Sequence, residues 1–184
     1  MNILGISGSL RADSSNTGLV RAAALLAPSP MEFTLYDGLG SLPHYSPELD
    51  HDDPPESVQA LRRQLRAADG VFVCTPEYAH GMPGSLKNAL DWLVSSGEFD
   101  GGKPTAALSA SPSFLGGDKA HAWLVQILTV LGAWIPEGGS LIVPFVRTKV
   151  TAEGEVSDPE LRESLIVVLQ ALAKAIESRV PHAQ

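Results

Sequence analysis

Apolar positions along this chain follow two patterns that take turns. Short continuous runs alternate with stretches where apolar residues recur every three or four positions, the period of one helix face. Ile3-Leu4-Gly5-Ile6 predicts a buried strand over about residues 2–7, and Leu19, Val20, Ala23, Leu25 and Leu26 predict a helix over about 15–27, closed by Pro28 and Pro30. Residues 31–36 alternate apolar and polar, as a strand at or near a sheet edge does. Asp37-Gly38 then turns the chain, and the Pro-, Asp-, His- and Gly-rich stretch 38–55 predicts an irregular loop. Val58, Leu61 and Leu65, with arginines between them, mark a surface helix over 55–68. Val71-Phe72-Val73-Cys74-Thr75 is almost wholly apolar, so this strand is expected at the centre of a parallel sheet with both faces covered. A helix over 83–95, a strand over 104–109, an apolar helix over 117–133, a strand over 140–143 and a closing helix over 158–178 complete the series.

Five strands alternating with five helices predict an α/β fold, a doubly wound parallel sheet. No repeat, low-complexity tract or linker divides the chain, so residues 1–184 are expected to form one domain. Such sheets keep their ligands outside the carboxyl ends of the strands, where strand order reverses. That rule singles out the loops at 7–16, 75–83 and 109–117, which are also the most unusual in composition.

Composition removes several classes of function. A formal charge of −8 argues against nucleic acid or an anionic membrane surface as partner. No apolar run approaches membrane-spanning length, and the N-terminus lacks the basic region of a signal peptide, so a cytoplasmic location is expected. The single cysteine, Cys74, excludes an internal disulfide and is read as inert packing at the end of a buried strand. The five histidines (His44, His51, His80, His121, His182) lack metal-ligand spacing, so no metal is expected. Trp92, Trp123 and Trp134 fall on helical patterns and are expected in the core or at subunit contacts.

Candidate chemistry begins in the first loop. Between the first strand and first helix stand five hydroxyl side chains (Ser7, Ser9, Ser14, Ser15, Thr17), together with Asn16 and Arg11. Free N–H groups and the dipole at a helix start favour an anion, and hydroxyls with a guanidinium complete its coordination. No lysine follows as in a P-loop, and Gly5 and Gly8 lack the spacing and third glycine of a dinucleotide fingerprint. Asp37, where a ribose-binding acid would otherwise sit, is therefore assigned to its turn. Hydroxyls in place of glycines suit a terminal phosphomonoester, hence a mononucleotide. The competing reading is a helix cap with no ligand; the loop's place at a strand end favours the ligand.

The loop after the third strand, Thr75-Pro76-Glu77-Tyr78-Ala79-His80-Gly81-Met82-Pro83-Gly84, is stiffened by two prolines, and its glycines permit close approach to something flat. Tyr78 offers an aromatic contact or is a half-buried loop residue; Glu77 is a solvated charge or, if it contributes, does so through its backbone more than its carboxylate. His80 is read as a polar contact to a substrate, with proton transfer as the alternative. The loop at 109–117 offers hydroxyls and glycines around the far edge of the same ligand, or is a plain connector.

Gly8-Ser9-Leu10-Arg11-x-x-Ser14-x-Asn16, followed by Thr75-Pro76-Glu77-Tyr78 and Pro83-Gly84-Ser85-Leu86-Lys87-Asn88-Ala89-Leu90-Asp91-Trp92, resembles the NADPH-dependent FMN reductase family, which includes quinone, chromate and azo-dye reductases. The resemblance implies a flavodoxin-like sheet of order 2-1-3-4-5 with helices on both faces. It implies FMN as cofactor, NADPH or NADH as co-substrate, a quinone-like or other small-molecule electron acceptor (or free FMN), and a homodimer or homotetramer. By the same resemblance Ser9, Arg11, Ser14, Ser15, Asn16 and Thr17 surround the FMN phosphate, Pro76, Glu77, Tyr78 and Ala79 lie along the isoalloxazine ring, and Ser109 closes its other edge. Two departures stand out: Ala79 where many relatives have Asn, and Pro112 and Phe114 in a loop that is elsewhere richer in glycine. A flavodoxin-type electron carrier, and a protein binding another phosphorylated metabolite, are the competing functions.

Overall fold

Every residue of the run 70–75 is buried, as a strand covered on both faces requires. The computed structural model describes residues 1–179. Within them lie β1 (Asn2–Ser7), α1 (Ser15–Leu26), β2 (Glu32–Tyr36), α2 (Glu56–Ala67), β3 (Gly70–Thr75), α3 (Gly84–Asp91), β4 (Thr105–Ala110), α4 (Asp118–Val130), β5 (Ser140–Val143) and α5 (Pro159–Ser178). His182 falls outside the described residues. The strands are all parallel and run in the order β2-β1-β3-β4-β5, as expected. Order reverses between β1 and β3, so the crevice beyond Ser7 and Thr75 is the switch point.

Alternation along each strand splits the core in two. Leu4, Ile6, Val71, Val73 and Ala107 point toward α2, α3 and α4, meeting Leu61, Leu65, Leu86, Leu90, Leu124 and Leu128. Ile3, Phe72, Cys74, Ala106 and Leu108 point the other way, against α1 and α5, meeting Leu19, Val20, Leu161, Leu165 and Leu169. Period two in the strands and period 3.6 in the helices thus place helices on both faces.

Three expectations need correction. The segment 38–55 contains two short 3-10 turns, Gly38–Ser41 and Pro47–Leu49, and is pinned rather than irregular. The Asp50 carboxylate accepts from Arg62 at 2.8 Å and from the Ser95 hydroxyl at 2.5 Å, while Trp92 Nε1 and Asn88 Nδ2 donate to the Pro43 carbonyl. The same anchoring ends α3 at Asp91 instead of residue 95, because the Trp92 ring is fully buried and the chain turns around it. Likewise α4 stops at Val130, where Gly132 takes φ +90° and Ala133 N–H donates to Leu128 O, a left-handed helix stop. Of the two places expected for the tryptophans, core or subunit contact, Trp92 takes the first, while Trp123 and Trp134 are substantially exposed.

Two details tie neighbouring elements together. The buried Lys103 ammonium donates to the carbonyls of Leu65 and Ala68, at 2.7 Å each, satisfying the C-terminus of α2; burial pulls its pKa down to about 8. A Cβ at Gly18 would sit 2.1 Å from the Thr151 carbonyl oxygen, so glycine there lets the segment after β5 lie directly on α1. Among the described residues no helix is long and apolar enough to cross a membrane.

Candidate functional site

Beyond the end of β1 the chain bends through a loop tied to its neighbour: Gly8 N–H donates to Cys74 O at 2.8 Å. Ser14 has extended backbone angles, and its hydroxyl oxygen accepts from Asn16 and Thr17 N–H, so it caps α1. Capping and ligand binding are therefore not exclusive here. Asn16 is buried: its Nδ2 donates to Ala110 O at 3.2 Å, and its Oδ1 accepts from the Cys74 thiol at 3.1 Å. Its side chain thus ties α1 to the ends of β3 and β4. The Cys74 thiol is fully buried, which pushes its pKa up strongly.

A cleft forms where four loops meet. The first loop contributes Ser9, Arg11, Ser14, Ser15 and Asn16; the loop after β3 contributes Pro76, Glu77 and Tyr78. Ala110, Ser111 and Pro112 line it after β4, and Val146 and Arg147 after β5. Among the described residues neither Arg11 nor Arg147 pairs with a carboxylate. The one acid in the lining, Glu77, is already engaged. Its Oε2 accepts from the backbone N–H groups of Lys119 at 2.9 Å and Ala120 at 3.0 Å, at the start of α4. That helix begins at Gly117, which has no side chain to cap it, so Glu77 caps it from 42 residues upstream. The carboxylate, not the backbone alone, is the working part of Glu77, contrary to the expectation from sequence. With the Glu77 carboxylate turned to helix N–H groups, two guanidiniums against one carboxylate leave the cleft lining net positive and rich in hydroxyls.

Tyr78 to Gly81 is a tight turn: Tyr78 N–H donates to Gly81 O at 2.9 Å and Gly81 N–H returns to Tyr78 O at 3.0 Å. Its central residues, Ala79 and His80, have φ of +49° and +62°, the left-handed pair of a type I′ turn. Asn-Gly suits such a turn; Ala-His holds it under strain. Asparagine at Ala79 will therefore stabilise the protein by about 0.5 kcal/mol, since Asn tolerates the left-handed region better than Ala. A thermal melt of flavin-free protein should shift upward by roughly 1–2 °C; a downward shift would show that the turn is not strained.

Not every expected residue reaches the cleft. Ser109 is fully buried within β4, and its hydroxyl donates to Gly116 O at 3.0 Å, so it shapes the following loop from beneath. The Thr17 hydroxyl donates to Ser7 Oγ at 2.9 Å and faces an adjoining hollow, which shares Ser9 and Arg11 with the cleft and is bounded on its far side by Leu35, Tyr36, Asp37 and Leu39. Ala79 and His80 sit exposed at the tip of their turn, outside the lining. His80 Nδ1 lies 3.7 Å from Glu77 Oε1. Of the two unusual residues in the β4 loop, Pro112 lines the cleft and Phe114 projects into solvent. Sequence reasoning missed Arg147 and Val146. The strand-end rule reaches them once it is extended to the loop after the last strand.

The family model for NADPH-dependent FMN reductase matches residues 1–148. A 2-hydroxy-1,4-benzoquinone reductase of a Burkholderia species is 34% identical over 181 residues, covering 97% of this chain and 98% of that protein. A quinone reductase of Escherichia coli K12 is 32% identical over 180 residues, covering 96% of each. Among solved structures, a flavoenzyme NAD(P)H:(acceptor) oxidoreductase from Paracoccus denitrificans superposes with a TM-score of 0.86 at 32% identity, covering 97% of this chain and 98% of that one.

Proposed function

The chain belongs to the NADPH-dependent FMN reductase family, and from that premise we propose that its four-loop cleft seats FMN, with the phosphate at the start of α1. It is an FMN-dependent NAD(P)H oxidoreductase. When bound, FMN supplies the two-electron chemistry, taking hydride from NADPH or NADH and passing reducing equivalents to a quinone-type acceptor. The chain's own residues bind, orient and enclose.

Ser9, Arg11 and Ser15, with the open N–H groups of the first turn of α1, hold the phosphate in this reading. Ser14 and Asn16 contribute by fixing the helix start against β3 and β4. Pro76, Glu77 and Tyr78 line the ring, and the Glu77 carboxylate keeps that wall joined to α4. The N-terminus of α3, entered through Pro83, follows the ring-lining turn, and its open N–H groups would favour negative charge developing on a ligand held beside it. The observation carrying the reading is the donor set: two guanidiniums without a carboxylate partner among the described residues, and several serine hydroxyls, line one cleft with the start of α1, far more than a cap alone requires.

Assembly as a homodimer or homotetramer is part of the proposal. It is supported by exposed Tyr78, Phe114 and Trp123, the last packed within 3.6 Å of a Cβ placed at Gly81, beside the ring-lining turn. A cytoplasmic location, where reduced nicotinamide nucleotides are at hand, belongs to the same reading. The test is anaerobic addition of NADPH or NADH to FMN-loaded protein. The flavin absorbance should bleach within the mixing time of a stopped-flow instrument and return on adding a benzoquinone. A yellow solution that stays unchanged would mean an electron carrier, and a protein that FMN cannot colour would end both flavin readings.

A further inference from the structure

We propose that Arg147 is a second phosphate-binding guanidinium, so that the seat grips a dianionic phosphomonoester between cations from opposite ends of the chain. The proposal rests on the FMN reading above and deepens it.

The backbone around Arg147 is built to hold it at the cleft. Ser111 N–H donates to Val143 O, Phe145 N–H to Ser113 O and Val146 N–H to Ser111 O, all at 3.2 Å, which zips the segment after β5 to the loop after β4. Phe145 is held at φ +53°, a conformation a bulky aromatic residue adopts only when its surroundings impose it. Val146, 1% exposed, anchors the next position in the core. A 3-10 turn over Val146–Thr148 follows, with Thr148 N–H donating to Phe145 O at 3.1 Å. A left-handed bend, a buried anchor and a closed turn thus deliver Arg147 to the lining that already contains Arg11.

An unpaired surface arginine is common enough; two on one cleft need a reason. The chain carries 21 acidic residues against 13 Lys and Arg, so carboxylate partners are plentiful, yet neither guanidinium has one among the described residues. Glu77, the acid in the same lining, keeps its charge but turns its Oε2 to the helix N–H groups of α4 rather than to either arginine. Like charges brought to one cleft repel, and an anion relieves that repulsion. A phosphomonoester near pH 7 carries close to two negative charges, matching the pair. Riboflavin carries none, and in FAD the phosphate is no longer terminal, so Arg147 makes the seat selective for FMN over both.

The experiment measures FMN and riboflavin affinity by fluorescence quenching in flavin-stripped wild-type, Arg147→Gln and Arg147→Lys proteins. The Gln variant should bind FMN about tenfold or more weakly, the range for losing one charge-assisted bond, with riboflavin affinity unchanged. Its FMN affinity should also depend less on salt, and Lys should recover part of the loss. An equal loss for both flavins, or no loss for either, would overturn the role of Arg147. Wild-type protein that binds riboflavin as tightly as FMN would instead remove the phosphate seat itself, a separate result.

Discussion

Alanine at Arg11 will weaken FMN binding by about one to two orders of magnitude, the cost of losing bidentate, charge-assisted donors to a phosphate. The effect should be confined to the ligand. Arg11 is exposed, and the only bond its backbone N–H makes is to the Ser9 hydroxyl at 3.3 Å. Surface substitutions of this kind leave stability within roughly 0.5 kcal/mol, so the melting temperature of flavin-free protein should be almost unchanged. Lysine at Arg11 keeps a point charge without the planar fork and should recover only part of the affinity. Isothermal titration with FMN checks this; wild-type affinity in the alanine variant would mean that the phosphate lies elsewhere.

Replacing Glu77 by alanine will act on the protein before it acts on the ligand. The substitution removes the carboxylate oxygen that accepts two bonds in the first turn of α4, one from an exposed and one from a partly buried N–H, at a cost of about 2 kcal/mol, the upper end for a lost cap. For a chain of this size that lowers the melting temperature by roughly 4–8 °C. This carboxylate's bonds to Lys119 and Ala120 help hold the turn after β3 against α4, so flavin retention should fall as well. Glutamine keeps a neutral acceptor and should cause about half the loss, because bonds to an ionised group are roughly twice as strong. The melt must be recorded without flavin, since bound ligand adds its own stabilisation. An unchanged melting temperature in the alanine variant would show that α4 does not depend on Glu77.

These two residues illustrate what the sequence disclosed and what it concealed. Arg11 sits inside a local motif: a strand, a hydroxyl-rich loop and an amphipathic helix, all readable within about twenty residues. The strand order came with the family resemblance; by itself the pattern of apolar positions marks β3 as central, because it is apolar on both faces, and β2 as near an edge, because it alternates. Glu77 was different. A lone glutamate in a loop looks the same whether it faces water or caps a helix 42 residues downstream, and only the approach of the β3 and β4 loops tells the two apart. Ser109 failed for a related reason. Its place in β4 pairs it with Thr75 and Ile142 and turns its hydroxyl beneath the sheet end, a matter of strand parity that a loop boundary set one residue early obscures. Arg147 lies 136 positions from Arg11, and no short-range pattern joins them; β5 and its zipper to the β4 loop do.

One feature of the core bears on how such a protein would withstand the quinone-type acceptors proposed for it. Quinones are electrophiles that alkylate thiolates, and the only sulfhydryl in this chain is Cys74. It lies completely sealed beneath the cleft, its proton directed at Asn16 and its ionisation strongly suppressed by burial. An enzyme so arranged offers arylating compounds no nucleophilic sulfur, and can turn over reactive acceptors without being covalently spent by them.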